Sequence, residues 1–434
     1  MDIRFHVRGG TPLYGDVRVS GSKNASLPLL AASLLCSGET VLTNMPRLRD
    51  TEGMIRILEF LGATVAIDGT TVRINADRAR GRPITHELVS KLRGSIVLLG
   101  PLLARFGVAE MGYPGGCVLG KRPVHAHIEA LEQMGAVNMS NEDVLHLQGR
   151  LRPGRVILPE FSVTATENAL MAAALTPGET RIDLAAAEPH VQDLVRFLTA
   201  AGAQIAWAGP HTLVIRGTSS LKGVEHRVTP DYLEVGALSI AALVTRGRLT
   251  LHDIDSEHLV SFLDTLRRGG VVWQHDSAAR TLTVDGERSE LRAMKVQTNI
   301  FPGFPTDLLA PLGVAMTQAS GVSRIFEILF EGRMAYLYEL EKMGAHVEVL
   351  NAHQALIIGP RQLRGRVVAS NDIRAGVAMV LAALCAEGET TITDVHYIER
   401  GYDRLEEKLR SVGAHIERVA TPKQEATAVA GIRD

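Results

Sequence analysis

The sequence predicts an α/β protein made of two similar domains, each built from three similar units. Three observations carry this. The chain has 434 residues, too many for one compact core. Hydrophobic residues make up 46%, charged residues 22% and aromatics 4%, which suits a soluble fold packed with Ala, Val, Ile and Leu. An internal repeat runs along almost the whole chain.

The repeat is a helix-like run, a small-residue corner and then a strand: LEFLGATVAI, LEQMGAVNM, LTAAGAQIAW, LRRGGVVW, LEKMGAHVEV and LRSVGAHIERV. The corners fall at Gly62, Gly135, Gly202, Gly269, Gly344 and Gly413. Each is expected to end a helix in the left-handed conformation that glycine adopts without strain. A strand precedes each helix after a turn, clearest in SGETVLTNM, PGETRIDLA, RGRLTLHDI and EGETTITDV. The helix between them is amphipathic, with Met54, Leu58 and Leu61 on one face. Two strands follow each corner, joined in VAIDGTTVRI by a hairpin at Asp68-Gly69. Units of about 70 residues are too long for a short-repeat solenoid, so six of them divide as three and three. Beyond Val419 the periodicity stops, and residues 420–434 read as a disordered tail.

With a net charge of −2, nothing suggests a nucleic-acid stripe or an anionic-membrane binder, so any anion is expected to meet a local cluster of cations. The start MDIRFHVRGG lacks the apolar stretch of a signal peptide, and apolar runs such as Ala375–Ala386 are too short to span a bilayer. The three cysteines show neither CxxC nor Cys/His spacing, so neither a disulfide framework nor a metal site is expected, and cytoplasm is the natural compartment. Cys36 and Cys385 occupy equivalent helix ends in the repeat and read as small buried hydrophobes.

Cys117 differs. It lies in GYPGGCVLGKRPVHAH (112–127), flanked by Gly115, Gly116 and Gly120, with Lys121 and Arg122 close behind. Nearby cations favour the thiolate, which makes this cysteine a candidate for chemistry. Lys23, in SGSKNASLPLL, stands at a helix start with Pro28 in the first turns, where it either meets an anion or is solvated. Asp307, in FPGFPTDLLAPL, is either a helix N-cap or a general base. Arg333 in FEGR, Arg374 in SNDIRAG beside Asp372, and Arg400 in YIERGY stand at comparable strand-to-helix junctions, which converge at one end of a sheet or barrel.

These pieces resemble the enolpyruvyl transferase family, on its nucleotide-sugar branch. The matching segments are GSKN (21–24), LRDTEGM (48–54), LRGSIVLLGPLLARFG (92–107), PGGCVLGKRPV (114–124), SVTATEN (162–168), FPGFPTD (301–307), FEGR (330–333), DIRAG (372–376) and IERGYDRLEEKL (398–409). The resemblance implies two inside-out α/β barrel domains, each of three βαβαββ units. One would hold residues 22–229 and the other 1–21 with 230–419. It further implies transfer of the enolpyruvyl group of phosphoenolpyruvate to the 3-hydroxyl of UDP-N-acetylglucosamine, a step of peptidoglycan precursor synthesis. Both substrates would sit in the cleft, under the cysteine loop as a lid, without metal or cofactor.

Residue by residue, the resemblance gives Lys23, Arg122 and Arg400 to the donor phosphate and Arg333 and Arg374 to its carboxylate. Cys117 becomes the acid or covalent partner and the position attacked by fosfomycin, and Asp307 the base at the acceptor hydroxyl. Asn24, Arg93, Pro123, Val124, His125, Ser162, Val163, Thr164 and Leu329 fall to the acceptor. Arginines in that number suit a donor with two anionic groups, because the guanidinium pairs bidentately with each. Departures gather on the acceptor side. His125 stands where the family has Asp, Thr164 where it has Gly, Met334 where it has Phe, Ala187 where it has Arg, and Tyr232 where it has Arg. The acceptor thus stays open between UDP-N-acetylglucosamine and a simpler uridine nucleotide such as UMP. A catalytically idle nucleotide-sugar-binding paralogue is the reading from another class.

Overall fold

The computed structural model describes residues 2–115 and 124–421. Its sheets repeat one strand order. In the first, Glu225–Arg227 lies parallel to Glu39–Thr43, which pairs antiparallel with Thr71–Asn75, which pairs antiparallel with Thr64–Asp68. The same order recurs in the sheets built on Gly178–Asp183, Arg248–His252, Gly321–Phe326 and Glu389–Thr393. The sheet built on Val108–Gly112 has three strands, with a single parallel bridge from Ile84 to Met111 on the outer side.

The N-terminus explains how the repeat closes. Asp2–Arg8 lies between Glu389–Thr393 and His415–Thr421, antiparallel to both, in the place held elsewhere by the last strand of the unit. Tyr14–Arg18 then pairs parallel with Arg248–His252. The first strands thus complete sheets of the C-terminal half. Order reaches Thr421 rather than stopping at Val419, because strand His415–Thr421 pairs along its whole length with the first strand.

Two hydrophobic cores result. One joins Phe5–Val19 to Tyr232–Ile416, and the other runs from Ala25 to Val228. Where the chain leaves one core and returns, the two crossings are bonded together. Ser22 N–H donates to Thr229 O at 2.7 Å, and Asp231 N–H donates to Ser20 O at 2.8 Å. Gly21 is required here, since a Cβ would stand 1.8 Å from Asn44 O.

Helices rich in Leu and Ala fill the centres. Every residue of Tyr232–Val244 and of Leu309–Thr317 is buried, as a helix apolar on all sides requires. Arg49–Leu61 and Pro189–Ala201 are amphipathic and bury one face. The corner glycines end their helices with positive φ at Gly62 (102°), Gly135 (98°), Gly202 (122°), Gly344 (96°) and Gly413 (107°). The fourth corner is a correction. Gly269 has φ −76°, and the left-handed residue is Gly270 at 81°. Gly269 keeps its place for another reason, because a Cβ there would meet Met294 Sδ at 2.5 Å.

Among the described residues no helix is long and apolar enough to cross a membrane, and no group of three or more His, Cys, Asp or Glu side chains could hold a metal ion.

Candidate active site

Lys23 opens the helix Lys23–Ser33, capped by the Ser22 hydroxyl. Its Nζ lies 3.0 Å from Asp50 Oδ2. Arg400 Nε lies 2.8 Å from Asp50 Oδ1, so one carboxylate holds both cations. Asp50 is only 4% exposed, in the first turn of Arg49–Leu61, where the helix dipole favours a negative charge. Burial pushes this carboxyl up, but Lys23 and Arg400 outweigh it and hold it below the usual carboxylate range. Asp50 was not among the residues singled out in the sequence, although LRDTEGM contained it. Neighbouring bonds reinforce the junction: Arg49 pairs with Glu399 at 2.6 Å, and Arg47 N–H donates to Asp403 at 3.2 Å.

The second cluster forms around Asp307. It lies in the 3-10 turn Thr306–Leu308 ahead of helix Leu309–Thr317 and does not act as the N-cap of either. Its two oxygens instead receive Arg333 Nη2 at 2.8 Å and Arg374 Nη2 at 3.0 Å. Both arginines are 4% exposed. Arg374 is set by Asp372, which caps helix Ile373–Cys385 by accepting from the Arg374 and Ala375 N–H groups at 2.7 and 2.9 Å. The Arg374 guanidinium also stands 5.4 Å over the Tyr402 ring.

Around these clusters stand residues that sequence reasoning noted only as departures, or missed. Tyr232 is buried, and burial together with Asp307, Glu188 and Asp231 pushes its hydroxyl well up, so it stays neutral. Asp231 caps the same helix and accepts from Lys23 N–H at 3.3 Å; burial raises it, against the pull of Arg374. Glu188 is raised by burial, with nearby backbone groups opposing, among them that of Phe301 in the segment that leads to Asp307. His190 is pushed down to about 4 by burial, with Asp307 opposing. The paired changes at Ala187 and Tyr232 were the signal pointing here.

On the acceptor side, Asn24 is the second residue of the Lys23 helix, and Arg93 donates to Pro114 O at 3.3 Å. Val124 precedes helix His125–Gln133, whose first residue, His125, is exposed. Ser162 caps helix Val163–Ala174, which places Val163 and Thr164 in its first turn. The added hydroxyl of Thr164 has a partner: it lies 3.2 Å from His127 Nε2. Asn168 Nδ2 lies 2.8 Å from His127 Nδ1. The amide donates there, so Nδ1 accepts and Nε2 carries the proton that Thr164 receives. Burial, with Arg93 and His125 adding to it, pushes this imidazole down to about 3, so it is neutral. Leu329 is 38% exposed, with its N–H held by Glu327 Oε1 at 2.7 Å. Met334 is buried in the turn that carries Arg333.

Cys117, Arg122 and Pro123 lie outside the described residues. Cys36 is buried and Cys385 nearly so, and burial pushes their thiols up to about 11 and about 12. That is the behaviour of packing cysteines.

Four cations thus meet two aspartates, with residues drawn from both cores, and comparison with known proteins gives the family. The chain belongs to the EPSP synthase (3-phosphoshikimate 1-carboxyvinyltransferase) family, whose pattern matches residues 7–409. Within it, the chain is 42% identical over 415 residues to the UDP-N-acetylglucosamine 1-carboxyvinyltransferase of Magnetococcus marinus, covering 95% of this chain and 98% of that one. The protein of the same name from Sinorhizobium fredii is 41% identical over 430 residues, covering 96% and 99%. Among solved structures, the enolpyruvyl transferase NikO from Streptomyces tendae superposes with a TM-score of 0.88 at 27% identity, over 97% of this chain and all (100%) of that one. EPSP synthase from Acinetobacter baumannii shares the fold, with a TM-score of 0.75 at 18% identity over 96% of this chain and 100% of that one.

Proposed function

We propose that this protein transfers the enolpyruvyl group of phosphoenolpyruvate to the 3-hydroxyl of UDP-N-acetylglucosamine and releases phosphate, the reaction that commits the sugar nucleotide to peptidoglycan. The observation that carries the reading is the pairing of four cations on two aspartates. Phosphoenolpyruvate brings two anionic groups. Its phosphate replaces Asp50 as the partner of Lys23 and Arg400, and its carboxylate shares Arg333 and Arg374 with Asp307. Each exchange trades one charge-assisted contact for another, so the cations are never left bare in a buried site.

The donor methylene carbon gains a proton, which leaves an oxocarbenium-like centre at C2. The acceptor oxygen bonds to C2 while Asp307, loosened from its arginines by the donor carboxylate, takes the hydroxyl proton. The tetrahedral intermediate then loses a proton from the methyl carbon and expels phosphate as the C2–O bond to phosphorus's oxygen breaks, which regenerates the enol. Cys117 is assigned the acid at the methylene carbon by family resemblance. The acceptor rests on relatives at 40–42% identity that carry its name.

A simpler uridine nucleotide is the second reading, supported by Tyr232 and Thr164 replacing the family's Arg and Gly. Phosphate release from phosphoenolpyruvate is to be measured with UDP-N-acetylglucosamine, UDP-glucose, UDP and UMP in parallel. Release with UDP-N-acetylglucosamine is expected. Release only with another nucleotide reassigns the acceptor, and donor binding without release from any of them marks an idle paralogue.

A further inference from the structure

Glu327 is a fully buried carboxylate (0% exposed) that the reaction does not use. It follows strand Gly321–Phe326 and turns its two oxygens to four donors. Oε2 accepts from the Thr306 hydroxyl at 2.6 Å. Oε1 accepts from the Thr298 hydroxyl at 2.9 Å and from the Leu329 and Phe330 N–H groups at 2.7 and 3.2 Å. These partners are not scattered. Thr306 is the residue before Asp307, and Leu329 and Phe330 lead into the turn Glu331–Ala335 that carries Arg333. Arg333 in turn donates to Asp307 at 2.8 Å.

The contacts close a ring: Asp307, Thr306, Glu327, the 329–330 backbone, Arg333 and back to Asp307. A buried carboxylate is costly unless its lone pairs are filled, and here three of the four donors (Thr306, Leu329 and Phe330) are delivered by the two loops it joins, with Thr298, just after strand Lys295–Gln297, supplying the fourth. Neither loop can shift without unpairing a buried charge. The cost of that unpairing makes the spacing between Asp307 and Arg333 stiff. Reaction rates fall steeply when a reacting group moves by about 1 Å, so this stiffness bears on turnover.

We infer that Glu327 is a positioning residue, which acts through Thr306 and the 329–330 backbone to hold Asp307 and Arg333 at their working separation. The inference rests on the reading of Asp307 as the base. Its purpose is geometric, so removing the Thr306 hydroxyl is the sharper test than removing the carboxylate.

Thr306→Val keeps the side-chain shape and deletes the shortest bond of the ring. With phosphoenolpyruvate and UDP-N-acetylglucosamine, kcat is expected to fall about 10- to 100-fold, with the KM for phosphoenolpyruvate within about twofold of the parent. Thr306→Ser restores the hydroxyl and is expected to recover kcat. Glu327→Gln keeps an acceptor for Leu329 and Phe330 and should lie between the two. Unchanged kcat in Thr306→Val, or equal loss in Thr306→Ser, overturns the inference. A crystal structure of Thr306→Val supplies a readout independent of turnover. Displacement of the Asp307 carboxylate from Arg333 supports the ring, and an unmoved carboxylate overturns it. Failure of the parent protein to turn over, by contrast, strikes the proposed reaction and leaves the crystallographic comparison to decide the ring.

Discussion

Arg400 and Asp50 lie 2.8 Å apart although 350 residues separate them, and their contact joins the two hydrophobic cores at the point where Lys23 also arrives. An aspartate buried between two cations does two things at once. It keeps the cations from facing each other unscreened, and under the proposed function it is the partner that the donor phosphate displaces.

Asp50→Asn removes the charge and keeps the shape. Breaking a buried ion pair leaves its partners uncompensated at a cost of about 3–5 kcal/mol. The variant is expected to melt at lower temperature, and added inorganic phosphate should raise its Tm more than that of the parent. The folded-state pKa of Asp50 is depressed, so its contribution is present above the unfolded value of about 3.9 and is lost as pH falls through the lower folded value. The gap between parent and variant in urea unfolding should therefore close below about pH 4. A gap that persists there would remove Asp50 from the electrostatic account.

Asp307→Asn leaves a hydrogen-bonding group beside Arg333 and Arg374 but no base. A drop in kcat of about 10²- to 10⁴-fold is expected, with a much smaller change in donor affinity. Isothermal titration with phosphoenolpyruvate and steady-state turnover separate the two. A fall in affinity with kcat intact would make Asp307 a binding residue.

Thiol labelling distinguishes the three cysteines. Cys36 and Cys385, raised by burial, should resist iodoacetamide at pH 8 in the folded protein. Fosfomycin adduct should appear by mass spectrometry on the Cys117 peptide alone. Adduct formation in Cys117→Ala would undo that assignment.

Glu167 offers a pH test of the opposite sign. It is fully buried in the first turns of Val163–Ala174, and burial, with Glu188 adding to it, pushes its carboxyl well above the usual range. Its stabilising contribution is complete below the unfolded value of about 4.3 and is lost as pH rises towards the folded one. Glu167→Gln, which mimics the neutral acid, should flatten stability between pH 5 and 8 and melt no lower than the parent at pH 8. A variant that loses stability equally at pH 5 and 8 would show that the proton is not what matters.

Much of the fold was legible because repetition writes the same local rules several times over. Leucines at helical spacing, a glycine at the corner and alternating strands after it recur in each unit, so an error in one is checked by the others. The one misplaced corner shows the limit. Gly269 and Gly270 are chemically identical, and only packing against Met294 and the Glu290 carbonyl decided which adopts the left-handed conformation. The tail was cut short for a similar reason, since Ala420 and Thr421 have no periodicity of their own and are ordered by pairing with Ile3 and Asp2.

The site divides in the same way. The sequence by itself determined the repeat, the α/β class, the family and the cations Lys23, Arg333, Arg374 and Arg400, because those rest on local pattern and motif. Only the tertiary structure decided which carboxylates meet those cations. Asp50 and Glu327 looked like ordinary acidic residues in the chain, and Asp307 like a possible cap. Which buried charge finds which partner depends on contacts between residues far apart in sequence. The desolvation that makes those contacts matter exists only once both cores have closed around them.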